Sequence, residues 1–370
     1  MNLLELTRSL LRCPSITPRS AGSLDLLSQH LQKLGFVCER MPKGEVDNLY
    51  AKRDRGGKTL CFAGHVDVVP PGSLALWTHP PFDAVYESGI LHGRGAVDMK
   101  PAICAFIDAV TRVEGMGSIA LLLTSDEEGP AREGTRYMVA QLLARGETFD
   151  ACIVGEPTSR DRVGDTVKIG RRGSLTAHIQ VNGIQGHVAY PQEAKNPIPL
   201  LLDLLQTLRA HPLDEASSPG FDPSRLEITT LDVGNLASNV IPGQARATFN
   251  IRFTPLHTAA SLQKWIQGVV GAVSGASVSF APAADAFSTP DSEFRAQTVS
   301  AVTRCTGHTP LLSTSGGTSD ARFLAPHFPV LELGLRHGAA HQVNESVAFW
   351  EVEQLRDIYA GILQAFFSAS

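Results

Sequence analysis

The chain has no C-x-x-C pair among its six cysteines, no long apolar run and no dominant charge. Each absence removes a class of protein. Cys13, Cys38, Cys61, Cys104, Cys152 and Cys305 are scattered, which removes a disulfide framework and a cysteine-built zinc site. They read as small buried thiols of a reducing compartment. No stretch approaches the ~18 uninterrupted apolar residues of a membrane span, so no membrane partner is expected. The opening MNLLELTRSLLR carries Glu5, Arg8 and Arg12, and predicts an amphipathic helix in place of a signal-peptide core. A net charge of -5 gives no reason to expect nucleic acid. An anionic substrate would have to be met by locally placed arginines. There is no internal repeat and no low-complexity segment.

What is present is an ordinary globular composition, 43% hydrophobic and 19% charged, over 370 residues. That length predicts two domains. The first half alternates helix and strand. Leu24, Leu27, Leu31 and Leu34 keep helical spacing up to Gly35, and residues 59–63 form a short apolar run ending in Gly64-His65. Pro101 opens a helix bearing Ile103, Phe106, Ile107 and Val110. Residues 118–124 and 151–154 are continuous apolar runs, as strands buried on both faces would be. This predicts an α/β layer with a mixed, mostly parallel sheet.

After Gly173 the period becomes two. Leu175, Ala177, Ile179 and Val181 alternate with polar residues, and so do Ala245, Ala247, Phe249, Ile251 and Phe253. With helices near 198–208 and 262–273 and strands near 227–233 and 278–281, the order is β-α-β-β-α-β, a small α+β domain. Residues 282–290 read as a return linker, and a last helix spans 351–367. The predicted division is a catalytic domain over 1–173 and 286–370 with an insert over 174–285.

Metal-type side chains stand where strands or turns end: His65, Asp98, Glu127 with Glu128, Glu156 and His341. Imidazoles and carboxylates suit zinc or a similar divalent ion, and one shared carboxylate would close the count on two ions. In H-x-D, His65 and Asp67 share one side of an extended segment, so Asp67 can fix the tautomer of a ligand His65. Asp98 is a candidate bridge between ions, against the plain alternative of a helix cap. Glu127 and Glu128 are neighbours and point apart, so one can bind metal while the other faces water as general base. Arg171 and Arg172 in GRRGS with Ser174 can clamp carboxylates. Asn239 in SNVIP and Gly317 with Thr318 in SGGTSD offer neutral donors. His187 in QGHVAYP lies in the insert, where a solvated surface histidine is the alternative.

FAGHVDVVPPG, Trp77 to Phe82, GRGAVDMK, SDEEGPA, GEPTSRDRVGDTVKIGRRGS, QGHVAYP, NVIPG and SGGTSDARF run through nearly the whole chain. Together they resemble the aminoacylase/carboxypeptidase superfamily of dizinc hydrolases, and within it the bacterial succinyl-diaminopimelate desuccinylase family. The resemblance implies an amide hydrolase removing the succinyl group from N-succinyl-LL-2,6-diaminopimelate, in the cytoplasm, on the route to lysine and peptidoglycan. It implies two divalent ions per subunit, zinc or cobalt, one on His65 and Glu156, another on Glu128 and His341. Asp98 would bridge them, Asp67 orient His65 and Glu127 act as base. It further implies a homodimer through the insert, with His187 reaching the other subunit's site. Arg171, Ser174, Asn239, Arg252, Gly317 and Thr318 match positions of substrate contact. Two positions depart from the family pattern: Pro101 after DMK, and His337 where an asparagine is frequent. A sister dizinc deacylase (acetylornithine deacetylase-like) or a dipeptidase would share metals and base and differ in the acyl pocket.

Overall fold

The computed structural model describes residues 1–113, 117–214 and 216–368. They cluster into two compact units: Met1–Ile169 with Thr289–Ser313 and Ser319–Ser370, and Gly170–Ser288 with Thr314–Thr318. The second unit is therefore wider than the insert expected over 174–285, and it takes in part of SGGTSD.

The first unit holds, among the described residues, an eight-stranded sheet. Its order is Val37–Arg40, Asn48–Arg53, Ser118–Thr124, Thr59–His65, Ala151–Val154, Val330–Glu332, Thr166–Lys168 and Leu311–Ser313. The middle four strands run parallel, and antiparallel strands lie outside them. Every residue of Ser118–Thr124 and Ala151–Val154 is buried, which is why these runs do not alternate. Helices Lys100–Thr111 and Phe349–Ser368 pack together on the sheet. Phe62 stacks on Phe106 at 4.3 Å between ring centroids, and Tyr359 meets both edge-on. Each such buried ring stabilises by roughly 1.5–3 kcal/mol relative to exposure. Pro101 lies in the first turn of its helix, where a missing N–H leaves no hydrogen bond unmade.

In the second unit the burial of Gly173–Asn182 alternates along its length, and it pairs throughout with antiparallel Gln244–Phe253. The sheet order is Arg225–Asp232, Gln244–Phe253, Gly173–Asn182 and Ala276–Phe280. Helices Pro197–Ala210 and Ala259–Gly271 cover the apolar face with Leu201, Leu204, Leu262 and Ile266. The other face is polar, with Ser174 opposite Arg252 and Arg252 opposite Arg225. The stretch read as a plain linker contains a short strand: Phe287–Ser288 pairs with Gly170–Arg171. Gly170 permits this, because a Cβ there would stand 2.3 Å from the Phe287 carbonyl oxygen.

Cys61, Cys104 and Cys152 are buried thiols, but Cys13 and Cys38 are only half-buried and Cys305 is exposed on its helix. Among the described residues no helix is long and apolar enough to cross a membrane.

Candidate metal centre

Three neighbouring parallel strands of the first unit end at one edge, and their carboxyl ends carry the site, as in open α/β sheets generally. Thr59–His65 ends on His65 itself, in register with Thr124. Glu127 and Glu128 follow Thr124, and Glu156 follows Ala151–Val154. Asp98 comes from the loop before Lys100–Thr111, and a local packing device seats it. Met99 is buried, and its methyl lies 2.6 Å from where a Cβ on Gly64 or on Gly155 would stand. Glycine at both strand ends therefore leaves the slot that Met99 fills, and Asp98 is carried over His65.

The side chains converge. His65 Nε2 lies 3.1 Å from Asp98 Oδ1 and 3.7 Å from Glu156 Oε1. His341 Nε2 lies 2.7 Å from Glu128 Oε1 and 3.4 Å from Asp98 Oδ2. Asp98 thus turns one oxygen to each histidine. Ligand atoms of His65, Glu127 and Glu156 come within 4.8 Å of one another, as do those of His65, Asp98 and Glu128. The two adjacent glutamates diverge: Glu127 faces the His65–Glu156 side and Glu128 faces His341. Asp67 differs in detail from the sequence reading. Its carbonyl accepts from His65 Nδ1 at 2.9 Å, whereas its carboxylate is 3.6 Å from that nitrogen. The carboxylate instead accepts from the backbone N–H groups of Glu127 and Glu128 at 3.3 and 3.0 Å. A carbonyl only accepts, so Nδ1 carries a proton and Nε2 faces the carboxylates. Asp126 is no ligand; it accepts from the N–H groups of Ala131, Arg132 and Glu133 and shapes the turn.

Electrostatically this is a site for cations. Burial is the largest influence on His65 and pushes its pKa down, but Asp98, Glu127 and Glu156 outweigh it and hold it well above the imidazole range. Hydrogen bonds to Asp98 and Glu128 push His341 up to about 10. Burial, then Glu156, hold the Glu127 carboxyl well above its ordinary value. Even with both imidazoles protonated and Glu127 neutral, the carboxylates of Asp98, Glu128 and Glu156 leave an excess of negative charge, which is costly away from water without cations. An all-oxygen and imidazole donor set of this density fits divalent ions such as zinc or cobalt.

A consequence follows for loading. Each histidine must shed a proton before Nε2 can bind an ion, so affinity should rise with pH toward the His341 value of about 10. Calorimetry near neutrality, in buffers of different protonation enthalpy, should show protons released as the ions bind. Uptake with no proton release would contradict the ligand roles of His65 and His341.

The substrate-type residues all lie in the second unit, in three groups. Arg171 is buried and donates through Nη1 to the Gly317 carbonyl at 3.1 Å, which joins it to the Gly317–Thr318 turn. Ser174 pairs with Arg252 across the sheet. His187 and Asn239 meet on a two-stranded ribbon, with Val188 N–H donating to the Asn239 carbonyl at 3.0 Å. His187 is exposed, and its Nδ1 accepts from Ala189 N–H at 3.0 Å, so its ring proton sits on Nε2. Arg94, Glu345 and Asp320 are further buried ionisable residues of the first unit that the sequence does not single out. Burial pushes Asp320 up to about 6. Arg94 and Asp320 stand inside GRGAVDMK and SGGTSDARF, and Glu345 four residues after His341, but nothing in the local pattern marks any of them as buried.

Fold and site together define a metal-dependent hydrolase of the α/β type, and the chain belongs to peptidase family M20/M25/M40, which it matches over residues 61–365. Its relatives narrow the class. It is 50% identical over 378 residues to a succinyl-diaminopimelate desuccinylase of Parvibaculum lavamentivorans, covering 99% of this chain and 95% of that one. It is 51% identical over 371 residues to a protein of the same name from Caulobacter vibrioides, covering 99% and 96%. Among solved structures it resembles an M20 family metallo-carboxypeptidase of Sulfolobus solfataricus, with a TM-score of 0.82, 16% identity and 99% of both chains covered. It also resembles a dinuclear metal-binding M20 peptidase of Bacillus subtilis, with a TM-score of 0.69 at 15% identity, covering 100% and 98%.

Proposed function

We propose that this chain hydrolyses the amide of N-succinyl-LL-2,6-diaminopimelate to succinate and LL-diaminopimelate, as an enzyme of lysine biosynthesis. The observation that carries the reading is Asp98, with one oxygen 3.1 Å from His65 and the other 3.4 Å from His341. A carboxylate so placed suits a bridge between two ions. His65 and Glu156 would hold one zinc ion, Glu128 and His341 the other. Ions bound there would lower the pKa of a coordinated water and polarise the amide carbonyl. Glu127 takes the proton of the water as its oxygen bonds to the succinyl amide carbon, and returns that proton to the leaving amine as the tetrahedral oxyanion collapses and the carbon–nitrogen bond breaks. Its raised pKa suits both transfers. Asp67 holds the Glu127 backbone and the His65 ring in place.

The substrate carries three carboxylates and one ammonium, so cations must read it. Arg171 and Arg252 are the residues for this, and Ser174, Asn239, Gly317 and Thr318 add neutral contacts. Burial, then Arg172, lower the pKa of Arg252, so an anion beside it relieves an unfavourable charge. His187 donates from Nε2 to the oxyanion. In the homodimer we propose through the second unit, that donor is His187 of the partner subunit. A sedimentation mass of twice the chain would support the pairing, and a monomer active at assay concentration would refute it.

The test is a comparison of acyl groups. Purified protein loaded with zinc or cobalt should turn over succinyl-diaminopimelate with a far higher kcat/KM than acetyl-diaminopimelate. The difference is an arginine–carboxylate pairing, about 2–5 kcal/mol. Equal or faster turnover of the acetyl compound would end the succinyl assignment and leave the two-ion hydrolase standing.

A further inference from the structure

Two charged residues that neither ligate metal nor serve as base meet in the interior of the first unit. Arg94 and Glu345 are 2% and 0% exposed, and Arg94 Nη1 donates to Glu345 Oε2 at 2.7 Å. The same carboxylate accepts from the N–H groups of Gly95 at 3.0 Å, Val97 at 2.7 Å and Asp98 at 3.2 Å. Those donors occupy a carboxylate's acceptor sites. The guanidinium also reaches the other way. It donates to the carbonyls of Gln342 at 3.1 Å and His341 at 3.4 Å, and lies 5.2 Å from the centre of the Trp77 ring. One ion pair therefore cross-links the loop carrying Asp98 to the loop carrying His341.

The second loop needs such a hold. His341 and Asn344 both have φ of 62°, a left-handed conformation that costs residues with a Cβ and persists where surroundings impose it. Asn344 is itself tied, accepting from Thr78 N–H at 2.7 Å. His65 and Glu156 stand apart from this, because they ride on the ends of strands in the sheet. A buried ion pair is seldom retained for stability, since an apolar pair of like volume does as well. Orientation of ligands is the better reason for this one.

We propose that Arg94 and Glu345 are positioning residues for one metal site. They hold Asp98 and His341 in mutual register, and so set the affinity of the ion on Glu128 and His341. The ion on His65 and Glu156 shares only Asp98 with this cross-link and has its other ligands on strand ends, so it depends on them less. This rests on the two-ion assignment above.

The test titrates Co2+ into metal-free protein and follows the visible absorption of each equivalent. Glu345→Gln should weaken one equivalent about 10–100-fold and the other, which shares only Asp98, markedly less, with the larger spectral change on the first. Glu345→Asp keeps the charge but shortens the reach, so it should show the same selective loss in smaller measure; it decides the matter if Glu345→Gln does not fold. Glu147→Gln, which breaks the distant Lys52–Glu147 pair of 2.6 Å, should change neither ion. Wild-type affinity for both ions in the Glu345 variants, or equal loss of both, would overturn the proposal. His341→Ala, run alongside, separates the two readings. If it keeps two ions, the two-ion assignment falls and takes this inference with it. If it loses one while the Glu345 variants keep both, the positioning role alone fails.

Discussion

Glu127→Ala should lower kcat by about 10²–10⁴-fold or more while the protein still takes up two metal ions. The reason lies in how the two adjacent glutamates part. Glu128 Oε1 is 2.7 Å from His341 Nε2, the proximity expected of two side chains that would share one ion. Glu127 faces the His65–Glu156 side, where burial and Glu156 raise its proton affinity. A carboxylate of that kind accepts a proton from water more readily than an exposed one. Glu128→Ala should have the opposite signature, a lost ion with activity falling as a consequence. Metal content by mass spectrometry beside single-turnover rates separates the two. Reversed metal contents would exchange the roles.

Arg171→Ala and Arg252→Ala should each lower kcat/KM for the succinylated substrate by about 2–5 kcal/mol, or roughly 30- to 5,000-fold. Arg171 is 8% exposed, and its bond to the Gly317 carbonyl fixes the guanidinium beside the SGGTSD turn. Among the described residues, Arg252 Nη1 is buried with no hydrogen-bond partner, so a substrate carboxylate would satisfy a donor that now has none. Lysine in either place should rescue little, because a point charge does not reproduce a planar two-pronged donor. The loss should be far larger for succinyl than for acetyl substrates, since only the former carries the extra carboxylate. Equal losses for both would show that these arginines read the diaminopimelate end instead.

The first unit's cluster was legible in the sequence because its residues stand where patterns change. His65, Glu127, Glu128 and Glu156 follow apolar runs, and strands buried on both faces are continuous apolar runs. Arg252 lies on the polar side of an alternating strand, and alternation marks a sheet with one covered face. Other features are tertiary and left no local trace. The carboxylate of Asp67 holds backbone N–H groups sixty residues away, which no H-x-D spacing announces. Met99 fills a slot made by two glycines on different strands. Arg94 and Glu345 are far apart in sequence, and charge gave no hint that either is buried. The pairing of Phe287–Ser288 with Gly170–Arg171 joins the two ends of the second unit, and neither end has a strand-like pattern by itself.

A carboxylate shared by two ions is the central proposal, and anomalous diffraction from crystals of the zinc-loaded protein reads it at once. The prediction is two peaks, each in contact with an oxygen of Asp98, one beside His65 and Glu156, the other beside Glu128 and His341. A single peak, or two peaks of which one does not touch Asp98, would contradict it.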